Sequence, residues 1–369
     1  MKRIIYAAVG ASLLLTACNS SQSTETPTLK EHFKNDFLVG AAVPVRHVNG
    51  LDPKADSIVT LHYNSIVAEN CMKSESIHPQ EGKYEWDDAD TFVKYGEDRG
   101  IAIIGHCLVW HSQLSPWFPY DSEGKQVSAE VMKERLRDHI HTIVGRYKGR
   151  IHGWDVVNEA IEDDGSYRKT PFYEILGEEY IPLAFQYAHE ADPDTELYLN
   201  DYSMSKPAKR ETYKKIVTDL KNRGLRIDGI GMQSHSGMTH PDFAEYEKSI
   251  EEFGKLGVNV MITELDMSAL PNVASGAGVE QNVDYEKTLN PYADGLPEEV
   301  AEEWNSRMST LMELYKKHKD VISRVTWWGT YDGMSWLNDW PVKGRTDYAL
   351  PFDRDYNMKP FLKKELAGE

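Results

Sequence analysis

Two glutamates end apolar runs of this sequence, where their carboxyl groups could do chemistry. Glu159 closes the run G-W-D-V-V-N-E that starts at Gly153, and Glu264 closes the run that starts at Val258. Apolar runs without alternation are typical of parallel strands that are covered on both faces. The carboxyl ends of such strands meet at one rim when the sheet closes into a barrel. Glu159 and Glu264 are therefore predicted to face each other across a cleft.

A facing pair of carboxyl groups fits three roles: the acid and the carboxylate of glycoside hydrolysis, a metal-bridging pair, or a structural pair. Metal sites usually add His or further Asp ligands. The sequence has no Cys/His cluster with zinc spacing. His235 lies near in the expected fold, but its place two residues after Gln233 favours a role in orienting Glu264. We expect neither a metal nor another cofactor.

The elements that must hold these residues repeat as short apolar runs followed by longer amphipathic stretches, the pattern of β/α units. One helical stripe follows Ser128 from Met132 to Tyr147, and another runs from Phe243 to Phe253. A doubly wound open sheet is the alternative, but the sequence has no G-x-G-x-x-G motif after the first strand and no P-loop. The sequence predicts the α/β class, as a single-domain (β/α)8 TIM barrel over residues 29–369. Its strands are predicted at 37–43, 65–69, 101–107, 153–158, 196–200, 229–233, 258–264 and 324–328.

Polar and aromatic side chains gather where these strands end. Strand two runs into E-N-C-M-K, strand three into H-C-L-V-W-H-S-Q, strand five into N-D-Y, strand six into Q-S-H and strand eight into W-W-G-T-Y-D-G-M-S-W. Any single residue of this kind is more often a cap or a buried polar group with its own partners. Convergence at so many strand ends would cost stability without a function, because buried polar groups need partners. This convergence predicts a binding cleft.

The charge and the aromatic content of the chain narrow the class of ligand. The 369 residues carry a formal net charge of −18, which opposes binding to nucleic acid or to an anionic membrane surface. The 9 Trp and 20 Tyr exceed what a core requires, and flat aromatic faces with polar edges suit sugar rings, although core packing explains most single aromatics. A neutral or cationic substrate is favoured.

The amino terminus resembles a bacterial lipoprotein signal. Lys2 and Arg3 precede an apolar segment at residues 4–15, and L-T-A-C ends at Cys18. We expect a signal at 1–18 with Cys18 lipidated after cleavage, then a flexible tether at 19–28 that is rich in Ser and Thr. The anchor would place the protein in the cell envelope, at the outer membrane, with the periplasmic and surface faces both open. We expect a monomer.

Cys71 and Cys107 each follow a candidate site residue at the ends of neighbouring strands. A disulfide between them is sterically conceivable, but a sequence does not give the Cα separation that it requires. Two free thiols that pack as small apolar side chains are the favoured interpretation.

Four motifs together resemble glycoside hydrolase family 10, the endo-β-1,4-xylanases. They are W-D-V-V-N-E at 154–159, T-E-L-D at 263–266, G-H-C-L-V-W-H at 105–111 and E-N-C-M-K at 69–73, and the likeness runs from about Leu29 to Leu366. The resemblance implies a (β/α)8 barrel, a retaining mechanism, Glu159 as acid/base and Glu264 as nucleophile. It also implies xylan or xylo-oligosaccharide as the substrate.

The resemblance further assigns the contacts of the substrate. It implies that one group holds a sugar two subsites from the cut, that a second surrounds and roofs the sugar being cleaved, and that Tyr202 faces the leaving sugar. The first group is Glu69, Asn70 and Lys73; the second is His106, Trp110, Gln113, Asn158, Gln233, His235, Trp328 and Trp336, with Asp266 in support. Ser203 departs from the family's usual Asn at the leaving-group subsite. The segment at 267–297 exceeds ordinary loop lengths, so we expect it to extend or to cover the cleft.

A retaining pair lies roughly 5 to 5.5 Å apart, so its like charges raise the proton affinity of one member. We expect Asn158, together with His235 paired to Asp266, to keep Glu264 charged. Glu159 then keeps the proton, gives it to the leaving oxygen, and afterwards activates water as a carboxylate. Two alternatives stay open: a glycan-binding lipoprotein without activity, and an endo-β-1,4-glucanase. Retention of both glutamates argues against the first.

Overall fold

The structure, a computed structural model, describes residues 26–273 and 280–368. The expected signal at 1–18, Cys18 and residues 19–25 of the expected tether lie outside these described residues. The first helix begins after Thr28, whose backbone N–H and hydroxyl donate to Glu31 Oε2 over 2.9 and 2.7 Å. This is a capping box. Within the described ranges, no helix has the length and apolar character needed to cross a bilayer.

Eight parallel strands form a closed barrel, as the apolar runs predict. They are β1 (Leu38–Val43), β2 (Ser65–Ala68), β3 (Ala102–Val109), β4 (Gly153–Asn158), β5 (Glu196–Asp201), β6 (Gly229–Met232), β8 (Asn259–Ser268) and β9 (Ile322–Trp327). A short ninth strand, β7 (His235–Gly237), follows β6 and pairs with the end of β8. Pairing of β1 with β9, and of β6 with β8, closes the ring. The predicted (β/α)8 barrel is confirmed.

Amphipathic helices surround the barrel. Ser128 and Asp242 cap two of them by accepting the backbone N–H of Val131 and Glu245 over 3.4 and 3.0 Å. The helices are α1 (Leu29–His32), α2 (Val45–Val48), α3 (Pro53–His62), α4 (Ser74–Ile77), α5 (Asp87–Arg99), α6 (Ala129–Arg146), α7 (Pro171–Leu176), α8 (Tyr180–Ala191), α9 (Pro207–Asn222), α10 (Phe243–Gly254), α11 (Glu298–Lys317) and α12 (Pro360–Ala367). Short 3-10 turns lie at Gly177–Glu179, Lys287–Leu289, Asp332–Met334 and Trp336–Asn338.

The apolar core has two parts. The larger part lies between the barrel and the helices, where the predicted stripe from Met132 to Tyr147 is buried. The smaller part fills the barrel itself with Ala42, Val67, Ile104, Tyr198, Met261 and Trp328. Burial of each large apolar side chain contributes about 1.5 to 3 kcal/mol before entropy is subtracted. The filled barrel leaves its carboxyl-terminal rim as the place for polar side chains.

Irregular backbone concentrates at this rim. The register between β3 and β4 shifts between His106 and Val109, and bulges of this kind re-aim side chains. Four non-glycine residues that follow strand ends have positive φ: Gln113 (47°), Glu159 (58°), Ser203 (51°) and Ser234 (67°). L-residues adopt this left-handed region rarely, and such conformations cluster at functional sites.

Candidate active site

The predicted catalytic and substrate-binding residues, together with Asp266, all line one cleft of about 740 Å³ at the rim of the barrel. The cleft brings together side chains from β2, β3, β4, β5, β6, β8 and β9 and from the loops that follow them. The predicted residues in its lining are Glu69, Asn70, Lys73, His106, Trp110, Gln113, Asn158, Glu159, Tyr202, Gln233, His235, Glu264, Asp266, Trp328 and Trp336. The polar and aromatic side chains at the strand ends therefore converge on one cleft, as predicted.

Glu159 is a buried carboxyl group that directly follows β4 and is 6% exposed. Trp110 Nε1 donates to its Oε2 over 2.9 Å, and Gln233 Nε2 donates to its Oε1 over 3.0 Å. Burial and the nearby charge of Asp201 outweigh these bonds and raise the pKa of Glu159 to about 7, with a further contribution from Glu264. Glu159 therefore keeps its proton well above the ordinary range of a carboxylic acid.

Glu264 is equally buried but is held in its charged form. Burial alone would raise the pKa of Glu264, yet a hydrogen bond from His235 and the charges of His106 and His235 bring it below the usual value. His235 Nε2 lies 3.2 Å from Glu264 Oε2, and Asn200 Nδ2 donates to Oε1 over 2.8 Å. The pKa values of the two glutamates are therefore shifted in opposite directions, so that Glu159 is protonated while Glu264 is charged at pH values below about 7.

His235 is a cation because it lies between two carboxylates. Its Nδ1 is 3.0 Å from Asp266 Oδ2, on the side opposite Glu264. Burial would lower the pKa of His235, but the charge and hydrogen bond of Asp266, and then those of Glu264, raise it to about 10. The expected pairing of His235 with Asp266 is confirmed, and it places a positive charge beside Glu264.

The expected role of Asn158 beside Glu264 is wrong. Asn158 Nδ2 is directed at Glu159 Oε1, at 3.4 Å, and its Oδ1 accepts from Asn200 over 2.9 Å. Asn200, which the sequence analysis did not select, donates to Glu264 in its place. Asn200 lies at the end of β5, as Asn158 lies at the end of β4, and this position in the sequence could have identified it. A Cβ at Gly231 would lie 2.3 Å from Asn200 Oδ1, so glycine there makes room for this amide.

Lys73 is the centre of a second group at one end of the cleft. Its Nζ donates to Asn70 Oδ1 and to Gln113 Oε1, both over 2.9 Å, and lies 4.9 Å from the ring of Trp110. The Gln113 amide also donates to Glu75 Oε1 over 2.9 Å. Both ends of this amide are therefore bonded within the group around Lys73. Burial lowers the pKa of Lys73 and raises the pKa of Glu69. This end of the cleft therefore offers both hydrogen-bond donors and hydrogen-bond acceptors.

Aromatic rings form the roof above the two carboxyl groups. Trp328 lies 5.2 Å from the ring of His106, which is bonded to Asp155 Oδ2 at 2.9 Å. Trp336 stacks on Trp340 with ring centroids 4.5 Å apart, and its Nε1 donates to Asp266 Oδ2 over 2.9 Å. The roof is thereby connected to the carboxylate that orients His235.

Tyr202 also lines the cleft, and its side chain contacts two cations. Arg168, another residue that the sequence analysis did not select, donates from Nη2 to the Tyr202 hydroxyl and from Nε to the Glu159 carbonyl, each over 2.8 Å. Lys209 Nζ lies 3.8 Å from the Tyr202 ring centre and 2.7 Å from Asp201 Oδ1. Arg168 therefore connects the backbone of Glu159 to Tyr202.

The described part of the long segment after β8 extends the cleft. Leu270, Pro271 and Asn272 line it. Arg345 Nη1 donates to the Pro271 carbonyl over 3.2 Å, and the Val283 N–H donates to the Pro341 carbonyl over 2.7 Å. Residues 274–279 of the segment lie outside the described residues. Leu270, Pro271 and Asn272 therefore line the cleft together with Pro341 and Arg345.

Cys71 and Cys107 are free and buried. Burial raises the pKa of both thiols, to about 12 for Cys71. The interpretation of both as small apolar side chains is confirmed.

The rim of this parallel barrel holds one protonated and one charged carboxyl group, with aromatic rings nearby. This is the arrangement of a glycoside hydrolase. The family model described as Glycosyl hydrolase family 10 matches residues 28–367. The chain belongs to this family.

Known relatives agree with this membership over nearly the whole chain. An endo-1,4-beta-xylanase A of Xylanibacter ruminicola is 48% identical over 366 residues, which covers 99% of this chain and 98% of the relative. A GH10 endoxylanase from a sugarcane soil metagenome superimposes with a TM-score of 0.88 at 41% identity, covering 92% of this chain and 100% of that one. A xylanase of Thermoanaerobacterium saccharolyticum, solved with xylotriose, gives a TM-score of 0.79 at 34% identity over 91% and 98% of the two chains.

Proposed function

We propose that this protein is a retaining endo-β-1,4-xylanase in which Glu159 is the acid/base and Glu264 the nucleophile. The unequal protonation of the two carboxyl groups carries the assignment. Glu159 has a pKa of about 7 and holds a proton to give. Glu264 has a pKa below its usual value and is free to attack. The family and its xylanase members supply the substrate class.

In the first step, Glu264 bonds to the anomeric carbon as the bond to the leaving oxygen breaks. Glu159 transfers its proton to that oxygen, so the leaving sugar departs as an alcohol. Esterification removes the negative charge of Glu264, which lowers the pKa of Glu159 and favours its carboxylate. In the second step, Glu159 takes a proton from water, and the water oxygen replaces Glu264 at the anomeric carbon.

The remaining cleft residues bind the chain of sugars on either side. Glu69, Asn70 and Lys73, joined by Gln113, hold the sugar two subsites from the cut on the glycone side. His106, Trp110, Asn158, Gln233 and His235 surround the sugar being cleaved, beneath Trp328 and Trp336. Tyr202 faces the leaving sugar, with Ser203 beside it in the lining of the cleft.

Two variants test the division of roles. Glu264→Ala should abolish turnover of an aryl xylobioside with a good leaving group, because no covalent intermediate forms. Glu159→Ala should retain the first step on the same substrate and accelerate when azide replaces water as the second nucleophile, giving a β-glycosyl azide. Unchanged turnover by Glu264→Ala would reject the assignment. Reducing-end release from xylan compared with carboxymethylcellulose separates this activity from an endo-β-1,4-glucanase.

We further propose that Cys18 carries a lipid that anchors the enzyme to the outer membrane. The charged start, the short apolar segment and L-T-A-C support this proposal. Metabolic labelling with a clickable fatty acid should mark the wild type, and Cys18→Ser should lose the label and leave the membrane fraction. Protease shaving of intact cells then decides between a periplasmic and a surface face. An unlabelled wild type would reject the anchor.

A further inference from the structure

Ser234 lies between two residues that reach different catalytic carboxyl groups. Gln233 donates to Glu159 Oε1 over 3.0 Å, and His235 Nε2 lies 3.2 Å from Glu264 Oε2. Ser234 itself is buried and has φ of 67°. This left-handed conformation is uncommon for serine. One left-handed backbone position therefore lies between the two residues that contact the catalytic carboxyl groups.

The register between neighbouring strands changes beside the same position. Met232 in β6 pairs with Ile262 of β8, whereas His235 in β7 pairs with Asp266. β8 has one more residue between these pairs than the β6–β7 segment has. A slip of one residue moves side chains to the other face of a strand. The extra residue belongs to β8, since β8 also has one more residue than β9 between the pairs Ile262–Val325 and Leu265–Trp327. Ser234 lies opposite this bulge, between Gln233, which is directed at Glu159, and His235, which is beside Asp266.

A chain of three hydroxyl groups reaches the left-handed Ser234 from the helices around the barrel. Ser234 Oγ donates to the Met232 carbonyl over 3.0 Å, so it accepts from the Tyr246 hydroxyl, with which it is in close contact. Tyr315 OH lies 3.2 Å from Tyr246 OH, and both tyrosines are buried. Because each hydroxyl has one proton, the donors run from Tyr315 through Tyr246 to Ser234. Helices α10 and α11 therefore reach the strand end through these bonds.

We propose that Ser234, held in its left-handed conformation by Tyr246, is the positioning residue that directs Gln233 to Glu159 and His235 to Glu264. This inference rests on the proposed function of the two glutamates. Loss of the conformation weakens both hydrogen bonds at once. Since each bond lowers the pKa of its carboxyl group, both limbs of the pH profile should then move to higher pH.

The experiment measures kcat/KM for an aryl xylobioside against pH, with thermal melting of each variant. Tyr246→Phe removes only the hydroxyl and should lower activity about tenfold, moving both limbs up by about half a pH unit. Ser234→Val disfavours positive φ, because its side chain is β-branched, and should lose about 100-fold with the same displacement. Ser234→Gly adopts positive φ without the support of Tyr246. We therefore expect kcat/KM to fall only about threefold, with both limbs of the pH profile at their wild-type positions.

Tyr315→Phe is the matched control, because it removes the outer hydroxyl of the same chain and leaves the bond between Tyr246 and Ser234. It should lower the melting temperature without moving either limb. The inference is overturned if folded Tyr246→Phe keeps both limbs of the wild type, if Tyr315→Phe moves them equally, or if Ser234→Gly loses as much as Ser234→Val. An inactive wild type would instead contradict the proposed function, so the two failures are distinguishable.

Discussion

Asn200 donates one amide hydrogen bond to Glu264 over 2.8 Å and another to Asn158 over 2.9 Å. Gln233 also donates to Asn158 Oδ1, over 3.2 Å, and to Glu159 over 3.0 Å. A continuous set of amides therefore joins the charged carboxylate to the protonated one. Asn200 thus contacts the charged Glu264 and Gln233 contacts the protonated Glu159, and neither amide transfers a proton.

Asn200→Ala should impair the nucleophile. A hydrogen bond to a charged group contributes about 1.5 to 3 kcal/mol, so we expect kcat to fall by roughly 10- to 100-fold. The pKa of Glu264 should rise, moving the acid limb of kcat/KM to higher pH. The control is Asn64→Ala, which removes an amide that accepts the Val39 N–H over 2.8 Å away from the cleft. An acid limb that moves equally in both variants would contradict this role.

The pH profile of kcat/KM should be bell-shaped. Activity requires charged Glu264, so it falls as pH drops through a pKa below 4.5. It also requires protonated Glu159, so it falls as pH rises through about 7. Glu159→Gln, assayed on an aryl xylobioside with a good leaving group, should lose the basic limb. Persistence of that limb in the variant would assign it to another group.

Gly231→Ala should displace Asn200. The added Cβ would lie 2.3 Å from Asn200 Oδ1 and 2.8 Å from Thr263 Cγ2, well inside normal contact. We expect kcat to fall by about the amount seen for Asn200→Ala, together with a lower melting temperature. The matched substitution in the same strand is Gly229→Ala, whose nearest new contact is the mobile methyl of Met261 at 2.8 Å. It should lose stability but keep more of its activity.

Lys359→Met should destabilise the fold in a pH-dependent way. Lys359 Nζ donates to buried Asp332 Oδ1 over 3.0 Å, and burial raises the pKa of Asp332 to about 6. Removing the cation from a buried pair costs about 3 to 5 kcal/mol. A carboxyl group with a raised pKa stabilises the fold at low pH and loses that contribution as pH rises through about 6.

The loss for Lys359→Met should therefore be larger at pH 8 than at pH 5. Urea unfolding of the variant and the wild type at both pH values measures it. Lys343→Met, at an exposed position, is the control for loss of one positive charge. Equal losses for Lys359→Met at the two pH values would show that Asp332 is not the group left unpaired.

The barrel and the cleft were readable from the sequence because they depend on local patterns. The apolar runs at 153–158 and 229–233 match β4 and β6 within one residue, since burial on both faces leaves a direct mark on composition. The partners of individual amides leave no such mark. Asn158 and Asn200 have the same residue type at equivalent strand ends, yet Asn200 donates to Glu264 and Asn158 Nδ2 is directed at Glu159. That difference depends on the three-dimensional packing around each amide.

Arg168 shows the same limit for a charged residue. It lies nine residues after Glu159 in a connecting segment, where a sequence suggests an exposed charge. In the fold, the bridge between Ile161 and Tyr167 returns the chain so that Arg168 Nε reaches the Glu159 carbonyl. The carboxyl groups could be chosen by residue type and spacing, whereas the groups that fix their conformation depend on where a loop returns.

The wall of the cleft formed after β8 is shared by two separate stretches of chain. Arg345 donates to the carbonyls of Pro271 and Trp340, and the Tyr348 hydroxyl donates to the Tyr292 carbonyl over 2.8 Å. Each stretch thus supplies the anchors of the other. An insertion or deletion in one stretch would therefore remove attachment points from its neighbour.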